Sequence, residues 1–357
     1  MNERYQEVLA QYEMEVLSVR KGRGSWICET DKGLKLLREY RGTVRRLEFE
    51  DQVLESIDTR GSLRVDRYVR NQEGALLSKA GDGTNYIMKE CFPDRECNIR
   101  DNYEIRLGIS RLAMLHGQLR QIQPREEWNM GSIFIESLEK EQERHVKEMK
   151  RARNFIRGKR GKTEFELCVM DSFDYFFEQA KEALNQMKGL FLENGAPEQL
   201  AAAELSVENA AENMKNSARK QGSRLGYLCH GDLDQHHVLM GNGYTAIIEY
   251  NRMHLGVQAE DLYRLMRKVM EKHGWDGDLG ITMLDSYERV RPMDKQERKC
   301  LYYMFLFPEK YWKQLNFYYN TNKAWIPAKS TDKLKSLKSQ ESARSRFLSR
   351  LEAALMI

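Results

Sequence analysis

The 357 residues are 41% hydrophobic and 31% charged, enough for two packed lobes and too polar for a bilayer-embedded protein. Lys and Arg number 58 against 54 Asp and Glu, a formal charge of +4, which is small for this length and does not call for a nucleic-acid partner. No apolar run approaches the roughly 18 residues of a spanning helix, and the charged start MNERYQEVLAQYEMEV carries no signal-peptide pattern, so the expectation is no membrane insertion and a chain that stays where it is made.

The six cysteines are scattered, and the nearest two, Cys91 and Cys97, match no common zinc or redox spacing. They read as ordinary reduced thiols. In chain order, an opening helix over 3–13 precedes VLSVRKGRGSWICETDKGLKLLREY, whose short alternating apolar segments are broken by Gly22, Gly24 and Gly33. That pattern predicts three antiparallel strands with tight turns. TVRRLEFEDQVLE at 43–55 changes to helical spacing, and strand-like runs follow at 62–70, 73–79 and 85–89.

Beyond Cys91 the texture is mostly helical. Ile105, Ile109, Leu112 and His116 share a face over 102–119, and 172–187 is a second helix. FPDRE interrupts the sheet pattern near 90–98, which places a sheet-rich lobe at 1–92 and a mainly helical lobe at 93–357. Basic stretches at 147–162 and 329–340 have helical spacing and read as solvated helix faces, with anionic or protein partners as the alternative.

The segment YLCHGDLDQHHVLMGNGYTAIIEYN at 227–251 reads as an apolar approach, a polar loop, a hairpin across Gly-Asn-Gly and a second loop. Such a hairpin brings Asp232 and Glu249 to one rim. Two carboxylates there suit orientation of a substrate hydroxyl by one and binding of a divalent metal by the other.

His230-Gly231-Asp232, with His237 five positions after the Asp and Glu249-Tyr250 twelve further on, resembles the HGDxxxxN…D[FL] signature of the aminoglycoside and choline kinase superfamily. FLFPEKYWKQLNFYYNTNKAWIPAKSTDKLKSL at 305–337, together with QAKEAL at 179–184, resembles the CotS group of spore-coat-associated kinase-like proteins of endospore-forming bacteria. The resemblance runs from about residue 10 to the C-terminus and is most specific at YYN…KAWIP. It implies an α+β, two-lobed protein-kinase-like fold of the aminoglycoside phosphotransferase type. It also implies synthesis in the mother-cell cytoplasm, incorporation into the spore coat, and coat or sporulation proteins as partners.

Carried over residue by residue, the resemblance makes Asp232 the catalytic Asp and His230 its brace, and lets Gly231 take the tight path. Lys35 resembles the lysine that pairs nucleotide phosphates, and Glu50 or Glu48 would hold it. Gly22 and Gly24 sit where a turn would cover phosphates but fail the full GxGxxG pattern, so an ordinary hairpin turn is the equal reading. Asp261 resembles a structural Asp at the start of a helix.

The two metal positions depart from the pattern. His237 replaces an Asn oxygen with an imidazole, where Mg²⁺ prefers oxygen donors at roughly 2.1 Å. Glu249 replaces an Asp and adds a methylene. A misplacement on the order of 1 Å costs roughly a hundredfold in rate, about 2.7 kcal/mol. Asp234 or Asn251 would have to supply a relocated ligand. The expected cofactor is ATP with Mg²⁺ or Mn²⁺, with no cofactor an equal reading. The expected function is a catalytically impaired kinase-like protein with an assembly role in sporulation. The alternative is an ATP-dependent phosphotransferase acting on a small hydroxylated molecule or coat component.

Overall fold

The computed structural model describes residues 3–22, 24–123, 125–128, 131–192, 226–320 and 328–357. The opening helix α1 (Glu3–Leu9) ends earlier than its apolar spacing suggests, because Gln11 and Tyr12 donate to carbonyls only three residues back and tighten the chain into a turn. Strands β1 (Val16–Lys21), β2 (Trp26–Thr30) and β3 (Gly33–Glu39) follow. Gly24, at φ +71°, supplies the left-handed backbone of the first turn.

Thr43 caps α2 (Val44–Glu55) by accepting the Arg46 N–H. After it come β4 (Leu63–Val65), β5 (Tyr68–Val69), β6 (Ser78–Lys79), β7 (Asn85–Glu90), β8 (Arg95–Glu96) and α3 (Asn102–Leu119). Asp101 caps α3, and Ile105, Ile109, Leu112 and His116 are all buried, as one shared face requires. Further along the chain stand β9 (Tyr227–Cys229), β10 (Val238–Met240), β11 (Thr245–Ile247) and β12 (His254–Gly256).

Two main sheets result. The first is antiparallel in the order β1-β2-β3-β7-β5, with β6 also on β7. One of its faces carries Cys28, Leu37, Tyr86 and Met88 into a core with Val8, Leu9 and Tyr12 of the N-terminal segment. The second has the order β4-β11-β10-β8, and β4 runs parallel to β11 with Leu63 opposite Thr245 and Val65 opposite Ile247. The run 62–70 is therefore split between sheets, β4 joining one and β5 the other.

This pairing sets the grouping of the chain. Residues 1–134 and 223–255 form one compact unit, and 135–222 with 256–357 form another. The grouping differs from the division at 92–93 read from sequence. Texture changes there from sheet to helix, but the hairpin of β10 and β11 hydrogen-bonds to β8 and β4 and so joins the N-terminal strands.

The second unit is helical: α4 (Leu138–Gly158), α5 (Glu164–Leu192), α6 (Ala259–Lys272), α7 (Gly277–Glu288), α8 (Lys295–Leu306), α9 (Glu309–Asn320) and α10 (Ala328–Leu355). Met149, Ile156, Phe173, Phe176, Tyr311 and Leu334 anchor its core. Of the tyrosines and tryptophans at 302–325, Tyr303, Tyr311 and Tyr318 are buried, Tyr302 and Trp312 half-buried and Tyr319 exposed, while Trp325 lies outside the described residues. Among the described residues no helix is long and apolar enough to cross a membrane.

Candidate active site

The loop after β9 is fastened to its own hairpin by two imidazoles. His230 is fully buried; its Nε2–H donates to the Ile248 carbonyl at 2.9 Å and its Nδ1 accepts the Asp232 N–H at 3.3 Å. Those two bonds together require the neutral ring with its proton on Nε2. Gly231 stands at φ +87°, and a Cβ there would lie 2.1 Å from the Arg252 carbonyl oxygen, so the close approach of the two loops depends on glycine. His237 Nδ1–H donates to the Asp232 carbonyl at 2.6 Å, and Asp234 caps the short turn Gln235–His237 through the His236 N–H. The Asp232 carboxylate is left 48% exposed, with Arg252 Nε at 3.5 Å.

Glu249, at the far end of the hairpin, has φ +70°, a conformation that costs a non-glycine residue on the order of 1 kcal/mol or more. Its N–H donates to Asp66 Oδ2 at 3.1 Å, which helps hold the strained backbone. Its carboxylate oxygens lie 3.0 and 2.8 Å from Arg38 Nη1. Asp66 Oδ2 is also 2.6 Å from the Lys89 ammonium, an ion pair between two buried side chains. Lys89 lies 4.7 Å from the centre of the Tyr68 ring, Tyr68 donates to Glu50 at 2.5 Å, and Glu50 accepts from Arg46 Nε at 2.6 Å. A connected network of charges thus runs from Arg46 to Arg38, with the two carboxylates of Asp66 and Glu249 adjacent within it.

Burial alone would raise the Glu249 carboxyl, but the charge of Arg38, then that of Lys89, holds it below the ordinary range. Asp66 shows the opposite balance: its burial outweighs Lys89 and raises its pKa. Arg38 also loses solvation, and Glu249 more than restores its charged form.

Two sequence readings are corrected here, those of Lys35 and of its carboxylate partner. Lys35 lies on β3 beside Cys28 and two residues from Leu37, on the sheet face that carries the N-terminal core. Side chains alternate along a strand, so Arg38 occupies the opposite face and is the β3 cation that meets Glu249. Glu50 points inward and Glu48 is exposed, but the Glu50 carboxylate is taken by Arg46 and Tyr68, leaving neither in a bond with Lys35. Gly22 and Gly24 belong to the β1–β2 hairpin turn, closed by the Gly22 N–H on the Ser25 carbonyl at 2.8 Å. Asp261 is buried in the first turn of α6, at the helix start where the resemblance put it.

The sequence reading missed Arg38, Asp66 and Lys89. Two signals were available: the alternation of GLKLLRE, and a lysine inside the apolar strand NYIMKE. The metal reading also meets an obstacle. Arg38 already neutralises Glu249, and His237 offers nitrogen, so this arrangement does not fit a Mg²⁺ ion with oxygen ligands. Among the described residues no cluster of three or more His, Cys, Asp and Glu side chains is arranged to hold a metal.

No family model matches the chain. Its structure superposes on an aminoglycoside phosphotransferase from Alicyclobacillus acidocaldarius with a TM-score of 0.77 at 18% identity, covering 98% of this chain and 96% of that one. This is an α+β, two-lobed fold of the aminoglycoside phosphotransferase type. A microcompartment-associated aminopropanol kinase matches with a TM-score of 0.57 at 13% identity, over 97% of each chain. An amicoumacin kinase in complex with AMP-PNP, Ca²⁺ and Ami matches at a TM-score of 0.55 and 10% identity, over 97% of this chain and 93% of that one. In sequence, spore coat protein S of Bacillus subtilis is 22% identical over 353 residues, 97% of this chain and 93% of that protein. The phosphotransferase-like fold therefore stands on structure, and the likeness to a coat protein spans nearly the whole chain.

Proposed function

We propose that this protein is a kinase-fold component of a sporulation structure with an impaired metal–nucleotide site. The observation that carries the impairment is the Arg38–Glu249 ion pair: the carboxylate expected to hold a metal is already neutralised by a guanidinium. A divalent cation binding there would have to displace Arg38 and leave its charge partly buried and unpaired. The role in sporulation is supported by the likeness to spore coat protein S.

Calorimetry with ATP and Mg²⁺ or Mn²⁺ tests this on the wild type and on a variant combining Arg38→Lys, His237→Asn and Glu249→Asp. The expected result is no saturable binding by the wild type and metal-dependent binding by the variant. Wild-type turnover near the roughly 1–100 per second typical of kinases would overturn the impaired reading.

A second reading has its own support. Asp232 keeps a braced loop and a half-exposed carboxylate suited to orienting an acceptor hydroxyl. Several proteins sharing the fold are named as kinases of small hydroxylated molecules, which supports ATP-dependent transfer to such a substrate more directly than an assembly role. Phosphate transfer by the wild type that disappears in Asp232→Asn would select it.

A further inference from the structure

A second charge stands beside Asp232. Arg252 lies in the loop that follows the hairpin, and its Nε is 3.5 Å from Asp232 Oδ2. Among the described residues no other group hydrogen-bonds or ion-pairs with the Asp232 carboxylate or with the Arg252 guanidinium. The arginine side chain is 70% exposed, so its two terminal amino groups face water.

The backbone beneath that side chain is held on three sides. The buried Arg46 donates through Nη2 to the carbonyls before and after it, those of Asn251 at 3.3 Å and Met253 at 2.7 Å. The Arg252 carbonyl itself accepts from His254 Nδ1–H at 3.1 Å and lies where a Cβ on Gly231 would clash. A free guanidinium is thus mounted on a fixed loop, next to the carboxylate suited to orienting an acceptor hydroxyl.

This arrangement sets the charge of the acceptor. A cationic acceptor gains little from a carboxylate that a guanidinium already neutralises, and the guanidinium repels it. An anionic group beside the hydroxyl can instead take two parallel N–H bonds from the planar fork. The geometry points to an anionic acceptor: a small molecule with a hydroxyl for Asp232 and a carboxylate or phosphate for Arg252. Arg252 is then the residue that selects the acceptor by charge. The inference rests on the phosphotransferase reading, which gives Asp232 its acceptor, and adds to it the chemical class of that acceptor.

The test compares the full chain with Arg252→Gln and Arg252→Glu, which leave the backbone anchors in place, each checked for an unchanged melting temperature. Binding of glycerate, glycerol phosphate, glycerol and ethanolamine is read by saturation-transfer NMR without nucleotide. Transfer to the same four is read by phosphorus NMR with ATP and Mg²⁺ or Mn²⁺. The expected result is that the two anions bind about tenfold more tightly than glycerol or ethanolamine, that salt weakens this preference, that Arg252→Gln abolishes it and that Arg252→Glu reverses it. That binding pattern without transfer to any probe upholds the charge selection and sinks the phosphotransferase reading. Transfer that is lost in Asp232→Asn but indifferent to Arg252 and to acceptor charge does the reverse. Equal binding of all four probes, no binding of any, or anion binding unchanged in Arg252→Glu also overturns the proposal.

Discussion

Arg38 Nη1 lies 3.0 and 2.8 Å from the two carboxylate oxygens of Glu249, a residue 211 positions further along the chain. The side chains are only 22% and 25% exposed, so each charge relies on the other for part of its solvation. Arg38→Ala is therefore expected to cost about 1–3 kcal/mol of stability, less than a fully buried pair because water still reaches the site. Urea unfolding of both single variants and the double variant with Glu249→Gln should show a coupling of about 1 kcal/mol or more. Additive losses would mean that the pair contributes nothing as a pair.

Acid should reveal two separate groups. His145 on α4 is stacked on Trp312 at 3.5 Å between ring centres, and burial pushes its pKa down to about 3. The unfolded chain, with an imidazole pKa near 6.5, then binds the proton more readily, so stability should fall as pH drops from about 6.5 toward 3, by on the order of 2 kcal/mol before pH 4.5. His145→Gln should flatten that limb. Glu249, whose folded pKa is depressed, contributes stability above its unfolded value near 4.3 and loses it as pH falls through the lower folded value. Glu249→Gln should flatten only this more acidic limb, as measured by melting temperature against pH.

The Lys89 and Asp66 side chains are 2% and 7% exposed and 2.6 Å apart. Lys89→Met leaves a buried carboxylate without its cation and should cost about 3–5 kcal/mol. Replacing both, as Lys89→Met with Asp66→Leu, removes both charges and should cost less than the sum of the single changes, by chemical denaturation. A sum of single losses would show that the two charges act independently.

Gly231→Ala tests the contact between the two site loops. The added Cβ would meet the Arg252 carbonyl oxygen at 2.1 Å in a backbone already at φ +87°. The expected loss is about 2 kcal/mol or more. Hydrogen exchange should show faster opening at the Asp232 N–H, which His230 now holds. Unchanged protection there would mean that the loop does not need the close approach.

Local chemistry made much of this molecule readable. Strands at 16–39, α2 behind its Thr43 cap, the apolar face of α3 and the hairpin across Gly241 and Gly243 each declare themselves within a few residues, because alternation, capping and turn formation act at short range. His230-Gly231-Asp232 was equally legible, since the bonds that shape its loop come from within the same 25-residue segment. What surrounds Glu249 was decided elsewhere. Arg38 and Lys89 come from β3 and β7 and Asp66 from the link between β4 and β5, and only the pairing of β3 with β7, β5 with β7, and β4 with β11 brings their side chains to one place. Lys35 looked like the functional cation because sequence shows residue type, whereas the face a strand residue occupies depends on which side of the sheet is buried against the N-terminal core. The sequence thus determined that Glu249 stands where a metal ligand is expected, and the tertiary structure determined that a guanidinium neutralises it, because ion pairing depends on distance in space and is blind to distance along the chain.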